Sequence, residues 1–85
     1  MPTQTVNVGS SVGLHARPAA LIAEAAAELD HEVTLAVPGG EPVDASSALL
    51  IMTLGSKQGD PVEVSSDDQA ALEKIAALVE QDLDA

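Results

Sequence analysis

Gly13-Leu14-His15-Ala16-Arg17-Pro18 brings together, within six residues, side chains suited to group transfer. The His15 imidazole is a nitrogen nucleophile that is neutral for much of the time near pH 7. Arg17, two residues on, adds a permanently charged, forked donor matched to phosphate oxygens. An alanine-rich run follows, and the start of a helix leaves backbone N–H groups without intrahelical acceptors, which attracts anions. Proline is well tolerated in a first helical turn, so Pro18 places the helix start at His15 or just after it. With His15 as the N-cap, the N–H groups of Ala16 and Arg17 face an incoming anion, and Gly13 allows the tight backbone entry. A histidine ahead of a helix is on its own an ordinary surface residue. In this company it reads as a carrier of a phosphoryl group, stabilised by the helix end and by Arg17.

The elements that must hold this stretch follow from hydrophobic periodicity. Thr5 to Val8 alternates as a strand with Val6 and Val8 inward, and a polar loop from Gly9 to Gly13 leads to His15. From Ala16 to about Asp30 the chain reads as a helix whose apolar face is Leu21, Ile22, Ala25, Ala26 and Leu29. Glu32 to Val37 is the clearest strand, with Val33, Leu35 and Val37 on one side. It turns at Pro38-Gly39-Gly40 into a short return strand, Glu41 to Asp44, whose prolines argue against a long ladder. Ser46 or Ser47 caps a short apolar helix from Ala48 to Leu54, closed by Gly55. Val62-Glu63-Val64 is a fourth strand. Ser65 or Ser66 then precedes the acidic helix start at Asp67 and Asp68, and Leu72, Ile75, Ala76, Val79 and Leu83 mark the last helix face. The order β-α-β-β-α-β-α predicts an α+β fold: a four-stranded, mainly antiparallel sheet with its helices on one side. No repeat or linker interrupts it, so residues 1–85 read as a single domain.

Composition narrows the function. Net charge is −11, and Arg17, Lys57 and Lys74 are the three cations, so nucleic acid is an unsuitable partner. With cations so scarce, one beside His15 is informative. There is no cysteine and no metal-ligand spacing between His15 and His31, which argues against a metal or other cofactor; His31 reads as a surface residue. No apolar run approaches the ~20 residues needed to span a bilayer, and no signal-like segment is seen, so a cytoplasmic protein that does not insert into membranes is expected. The 46% hydrophobic content is wholly aliphatic apart from two methionines, with no aromatic residue.

Gly13-Leu14-His15-Ala16-Arg17-Pro18-Ala19-Ala20 resembles the active-site signature of the HPr family, the histidine phosphocarriers of the bacterial phosphotransferase system. Ser47-Ala48-Leu49-Leu50-Ile51-Met52-Thr53-Leu54-Gly55 resembles that family's second signature, a helix beginning at a regulatory serine. The resemblance implies an open-faced β-sandwich and a carrier rather than an enzyme. It implies that His15, on Nδ1, takes a phosphoryl group from phosphorylated enzyme I and hands it to the enzyme IIA units of sugar permeases. It implies that Ser47 (or its neighbour Ser46) is a target of an HPr serine kinase, and that the protein works as a monomer. Two departures from the usual pattern stand out. Ser46 occupies a position where many relatives have lysine, and Glu24 and Ala27 stand where the first helix often carries lysines.

A short helix as apolar as Ala48 to Leu54 cannot bury every side chain. Ala16, Ala20, Ala48, Leu49 and Met52 are therefore expected to form an apolar docking collar beside His15, unless Leu49 and Met52 are core residues. Two other functions compete. An HPr-like regulator that does not feed sugar transport would share this sequence. An acyl-carrier-like protein would use Ser46 or Ser47 after Asp44, but such carriers are helical bundles and the alternating valines predict strands.

Overall fold

Alternation of inward valines and leucines with outward polar residues sets the sheet register. In the computed structural model, which describes residues 2–83, the strands are β1 (Thr3–Asn7), β2 (Val33–Ala36), β3 (Val43–Asp44) and β4 (Pro61–Ser66). They form one antiparallel sheet in the order β1-β4-β2-β3. Val6 lies opposite Val62 and Leu35 opposite Val64, all buried. A one-residue slip would turn this whole set toward solvent. The other face keeps Thr5 opposite Glu63 and a Thr3–Ser65 hydroxyl pair at 2.8 Å. β3, at the sheet edge, is two residues long and follows Pro42, and Pro61 is confined to the first position of β4.

Three helices, α1 (Ala16–Ala27), α2 (Ala48–Met52) and α3 (Gln69–Glu80), cover one face of the sheet. Ile22 of α1, Ile51 of α2 and Leu72, Ile75 and Val79 of α3 are fully buried against Leu35, Val62 and Val64. This aliphatic cluster is the core.

The structure corrects several sequence expectations. The buried stripe of α1 runs Ala19, Ile22, Ala23, Ala26, spaced at three and four residues, and Leu21 is 40% exposed. At 100° per residue Leu21 lies well round the helix from that stripe, and the small alanines let α1 sit close to the sheet. Of the acidic pair expected at the start of α3, Asp68 is the N-cap, and its Oδ2 accepts from the Ala71 N–H at 2.9 Å. Ser66 ends β4; its hydroxyl donates to the Glu32 carbonyl (2.8 Å) and accepts from the Asp68 N–H (3.2 Å). α2 stops at Met52 and α3 at Glu80, so Leu83 packs on the core from beyond the helix, where its N–H donates to the Ser10 hydroxyl at 3.3 Å.

Candidate functional site

His15 is placed by what lies on either side of it. Before it, the Leu14 side chain is buried and its N–H donates to the Ser56 carbonyl at 3.0 Å. Gly13 adopts a positive φ of 81°, and a Cβ there would run into that same Ser56 oxygen. Both the dihedral and the close approach demand glycine. After His15, Pro18 is buried in the first turn of α1, where its missing N–H costs nothing. His15 itself is the N-cap, with extended backbone (φ −89°, ψ −167°), and its carbonyl accepts from the Ala19 N–H at 3.0 Å.

The side chain of this cap does not cap. It makes no hydrogen bond to the first-turn N–H groups, and the exposed ring instead places Nδ1 3.2 Å from the Gly13 carbonyl oxygen. A carbonyl can only accept, so in this arrangement Nδ1 carries the proton. The N–H groups of Ala16 and Arg17 remain at the positive end of a 12-residue helix, beside the exposed Arg17 side chain. A dianion bonded to the ring would meet both.

On the other side of His15 a shallow depression of about 320 Å³ is lined by Met52 of α2 and by Gly55, Ser56 and Lys57 of the loop after it. Lys57 is the charged lining residue that the sequence reading does not place at the site. Its signal was there, as a second of three cations, but its closeness to His15 arises from the Leu14–Ser56 backbone bond, which leaves no mark in local sequence.

Comparison with known proteins rests on the same residues. The family model described as "PTS HPr component phosphorylation site" matches residues 2–81. A phosphocarrier protein HPr of Streptomyces coelicolor is 41% identical over 87 residues, spanning 99% of this chain and 94% of that protein. The chain belongs to the HPr family. An HPr of Mycoplasma pneumoniae is 37% identical, over 89% of this chain and 90% of its own. The crystal structure of HPr from Bacillus anthracis superposes with a TM-score of 0.84 at 31% identity, covering 92% and 95% of the two chains. The open-faced sandwich is thus the HPr fold, and the protein is a phosphocarrier of the phosphotransferase system.

Within this HPr fold the two serines have different partners. Ser47 is the N-cap of α2, its hydroxyl accepting from the Leu50 N–H at 3.3 Å. Ser46 is tied to Asp44: its N–H (2.9 Å) and its hydroxyl (2.7 Å) both donate to the same carboxylate oxygen. The backbone bond first, and the hydroxyl second, hold the Asp44 carboxyl below the usual carboxylate range. Of the expected collar, Ala16 and Ala20 are exposed on α1, and Leu49 and Met52 on α2 are 69% and 37% exposed. Leu49 and Met52 are therefore not core residues. Ala48 is half-buried against the core, and Met52 alone of the five lines the depression with His15. Leu50 and Val12 are exposed apolar residues that the sequence reading did not place in the collar.

His31 is half-exposed, with Nε2 3.8 Å from an Asp68 carboxylate oxygen. Among the described residues no group of three His, Cys, Asp or Glu side chains could hold a metal ion, and no helix is long and apolar enough to cross a membrane.

Proposed function

We propose that His15 carries the phosphoryl group between enzyme I and the sugar-specific enzyme IIA proteins, and that Arg17 stabilises it in transit. The observation that supports this most is a helix-capping histidine whose ring bonds none of the N–H groups it caps. An imidazole lone pair attacks phosphorus on phosphorylated enzyme I and forms an N–P bond. The bond from phosphorus to enzyme I breaks, its electron pair stays with enzyme I, and the proton on the second ring nitrogen is retained. Attack through Nδ1 requires the ring to swing off the Gly13 oxygen and to carry its proton on Nε2. The Ala16 and Arg17 N–H groups and the guanidinium then face the transferred oxygens. The reverse sequence delivers the group to enzyme IIA.

No second acid, base or metal is needed at such a site, in keeping with a carrier whose partners supply the remaining catalysis. Its exposed position suits a protein that meets donor and acceptor in turn in the cytoplasm, as a single 85-residue domain acting as a monomer. Ser47, already at a helix start, is the modification site that an HPr serine kinase would address in this reading.

The test is incubation with enzyme I and phosphoenolpyruvate, followed by intact mass measurement and transfer to a purified enzyme IIA. An acid-labile adduct of one phosphoryl group that disappears in His15→Ala, with the fold retained, is the expected result. Labelling that survives the substitution overturns it. Normal loading with no delivery to any enzyme IIA would make the protein a regulator rather than a transport carrier.

A further inference from the structure

The phosphoryl reading uses Arg17 and the helix end, which approach His15 from α1. Nothing in it accounts for the other wall. There the loop after α2 brings Lys57 to the depression that His15 lines, and Lys57 is exposed. This is one of three cations in a chain with fourteen acidic residues. An exposed lysine amid such an excess ordinarily finds a carboxylate, and one is at hand. Asp60 lies in the same turn, but its carboxylate accepts from the Lys57 backbone N–H at 3.0 Å. Among the described residues no carboxylate lies within ion-pair distance of the Lys57 ammonium. The same loop holds the one buried side-chain oxygen that lacks a hydrogen-bond partner among the described residues, the Ser56 Oγ. Leaving a buried hydroxyl unpaired is costly. The Ser56 hydroxyl is buried, so it is the uncommitted Lys57 ammonium that this wall presents to oxygens arriving from outside.

We propose that Lys57 is a second cationic contact to the phosphoryl group on His15, facing Arg17 across it, an assignment that rests on the phosphoryl reading above. A compact ammonium on a flexible stem follows the group as the ring swings, whereas Arg17 is fixed to the first turn of α1. The contact favours the dianion over the monoanion. The phosphorylated protein therefore holds its phosphoryl group in the dianionic form down to lower pH than α1 alone would allow.

The experiment is a ³¹P NMR titration of the protein phosphorylated by enzyme I and phosphoenolpyruvate, comparing wild type, Lys57→Gln, Lys57→Arg and Lys74→Gln. Lys57→Gln is expected to raise the phosphoryl pKa by about half a unit, less than the 1–3 units of a close desolvated charge because this site is exposed and screened. Lys57→Arg restores the wild-type value, and Lys74→Gln leaves it unchanged. Equal pKa values in wild type and Lys57→Gln overturn the contact, even if transfer from enzyme I slows, since slowing alone would make Lys57 a docking residue. A shift of the same size in Lys74→Gln reduces it to a general charge effect and also overturns it. An adduct on a residue other than His15 overturns the phosphoryl reading and this contact with it, and mass mapping of wild type shows that before any variant is titrated.

Discussion

A histidine at an N-cap usually has two calls on its ring, the helix N–H groups and solvent, and in this structure it answers the carbonyl behind it instead. The Gly13 oxygen holds Nδ1 at 3.2 Å and keeps the ring out of the space where first-turn N–H groups converge. In the proposed reading an anion meets those N–H groups there, beside Arg17. Arg17→Ala should therefore still accept a phosphoryl group, but about 10- to 100-fold more slowly in rapid-quench transfer from enzyme I. A buried oxyanion donor is worth more than this, and Arg17 is exposed and partly screened. Equal rates would remove Arg17 from the mechanism. A second residue-scale prediction concerns Asp44. Ser46→Ala removes the hydroxyl bond but keeps the stronger backbone one, so the carboxyl pKa should rise only part of the way to its ordinary value. Because the folded pKa lies below the unfolded one, the Asp44 contribution to stability is complete above the unfolded value and is lost as pH falls through the folded value. The variant should thus lose a little stability above about pH 4 and none well below it. A carboxyl ¹³C titration reads the shift, and an unchanged Asp44 pKa would show that the hydroxyl contributes nothing.

At the scale of elements, α2 is the most exposed of the three helices and the least forgiving at one position. Ile51 is fully buried, while Leu49, two residues after the cap, is 69% exposed. Leu49→Asp should fold, with a stability change within about 0.5 kcal/mol, as is usual for surface sites. Ile51→Ala should cost about 2–5 kcal/mol in urea unfolding. If Leu49 also serves docking, Leu49→Asp should slow transfer from enzyme I, and wild-type kinetics in a folded variant would end its part in the collar. Ser47→Asp keeps a capping oxygen for the Leu50 N–H, so helix and fold should survive. A negative charge beside the apolar surface should nevertheless weaken enzyme I binding by repulsion and desolvation, with partial relief by salt. Unchanged transfer would leave Ser47 a cap and nothing more. How much of this was legible in sequence depends on the range of the signal. His15, Pro18, the turn at Gly13 and the alternating valines act through neighbours one to four residues away and could be read directly, whereas the cap of α2 could be narrowed only to Ser46 or Ser47. Leu21 was misassigned because seven alanines in the same helix blur the apolar stripe, and only the sheet decides which alanines face inward. The sequence reading placed Ser66 only as a residue before the acidic helix start, and its bond to the Glu32 carbonyl arises from strand pairing that local sequence does not show. The closeness of Lys57 to His15 was hidden for the same reason: a tertiary backbone bond brings its loop to the site.

The molecule as a whole carries a net charge of −11 on a body 29 × 26 × 19 Å in extent. Two of its three cations, Arg17 and Lys57, lie at the His15 end, so the acidic field is interrupted where the proposed function places the phosphoryl group. Away from that end Lys74 is the one remaining Lys or Arg, in a chain with fourteen acidic residues. At 10 mM salt the screening length is about 30 Å, so nearly every pair of carboxylates interacts; at 0.1 M it is about 10 Å, and only neighbours do. Such self-repulsion disfavours the compact state more than the expanded one. Melting temperature should therefore rise with sodium chloride by several degrees, given that about 1 kcal/mol corresponds to 4–8 °C in a domain of 60–100 residues. Most of the rise should be complete by about 0.2 M, where the screening length has fallen below 10 Å. A salt effect acting instead through hydrophobic burial would continue to grow at high concentration and would be stronger for sulfate at equal ionic strength. Neutralising exposed carboxylates away from the site, as in Glu24→Gln with Glu41→Gln, should raise the melting temperature at 10 mM salt and leave it nearly unchanged at 0.5 M. Parallel melting curves for the double variant and wild type at both concentrations would show that the acidic surface does not destabilise the fold, and that its −11 charge matters only for encounter with partners.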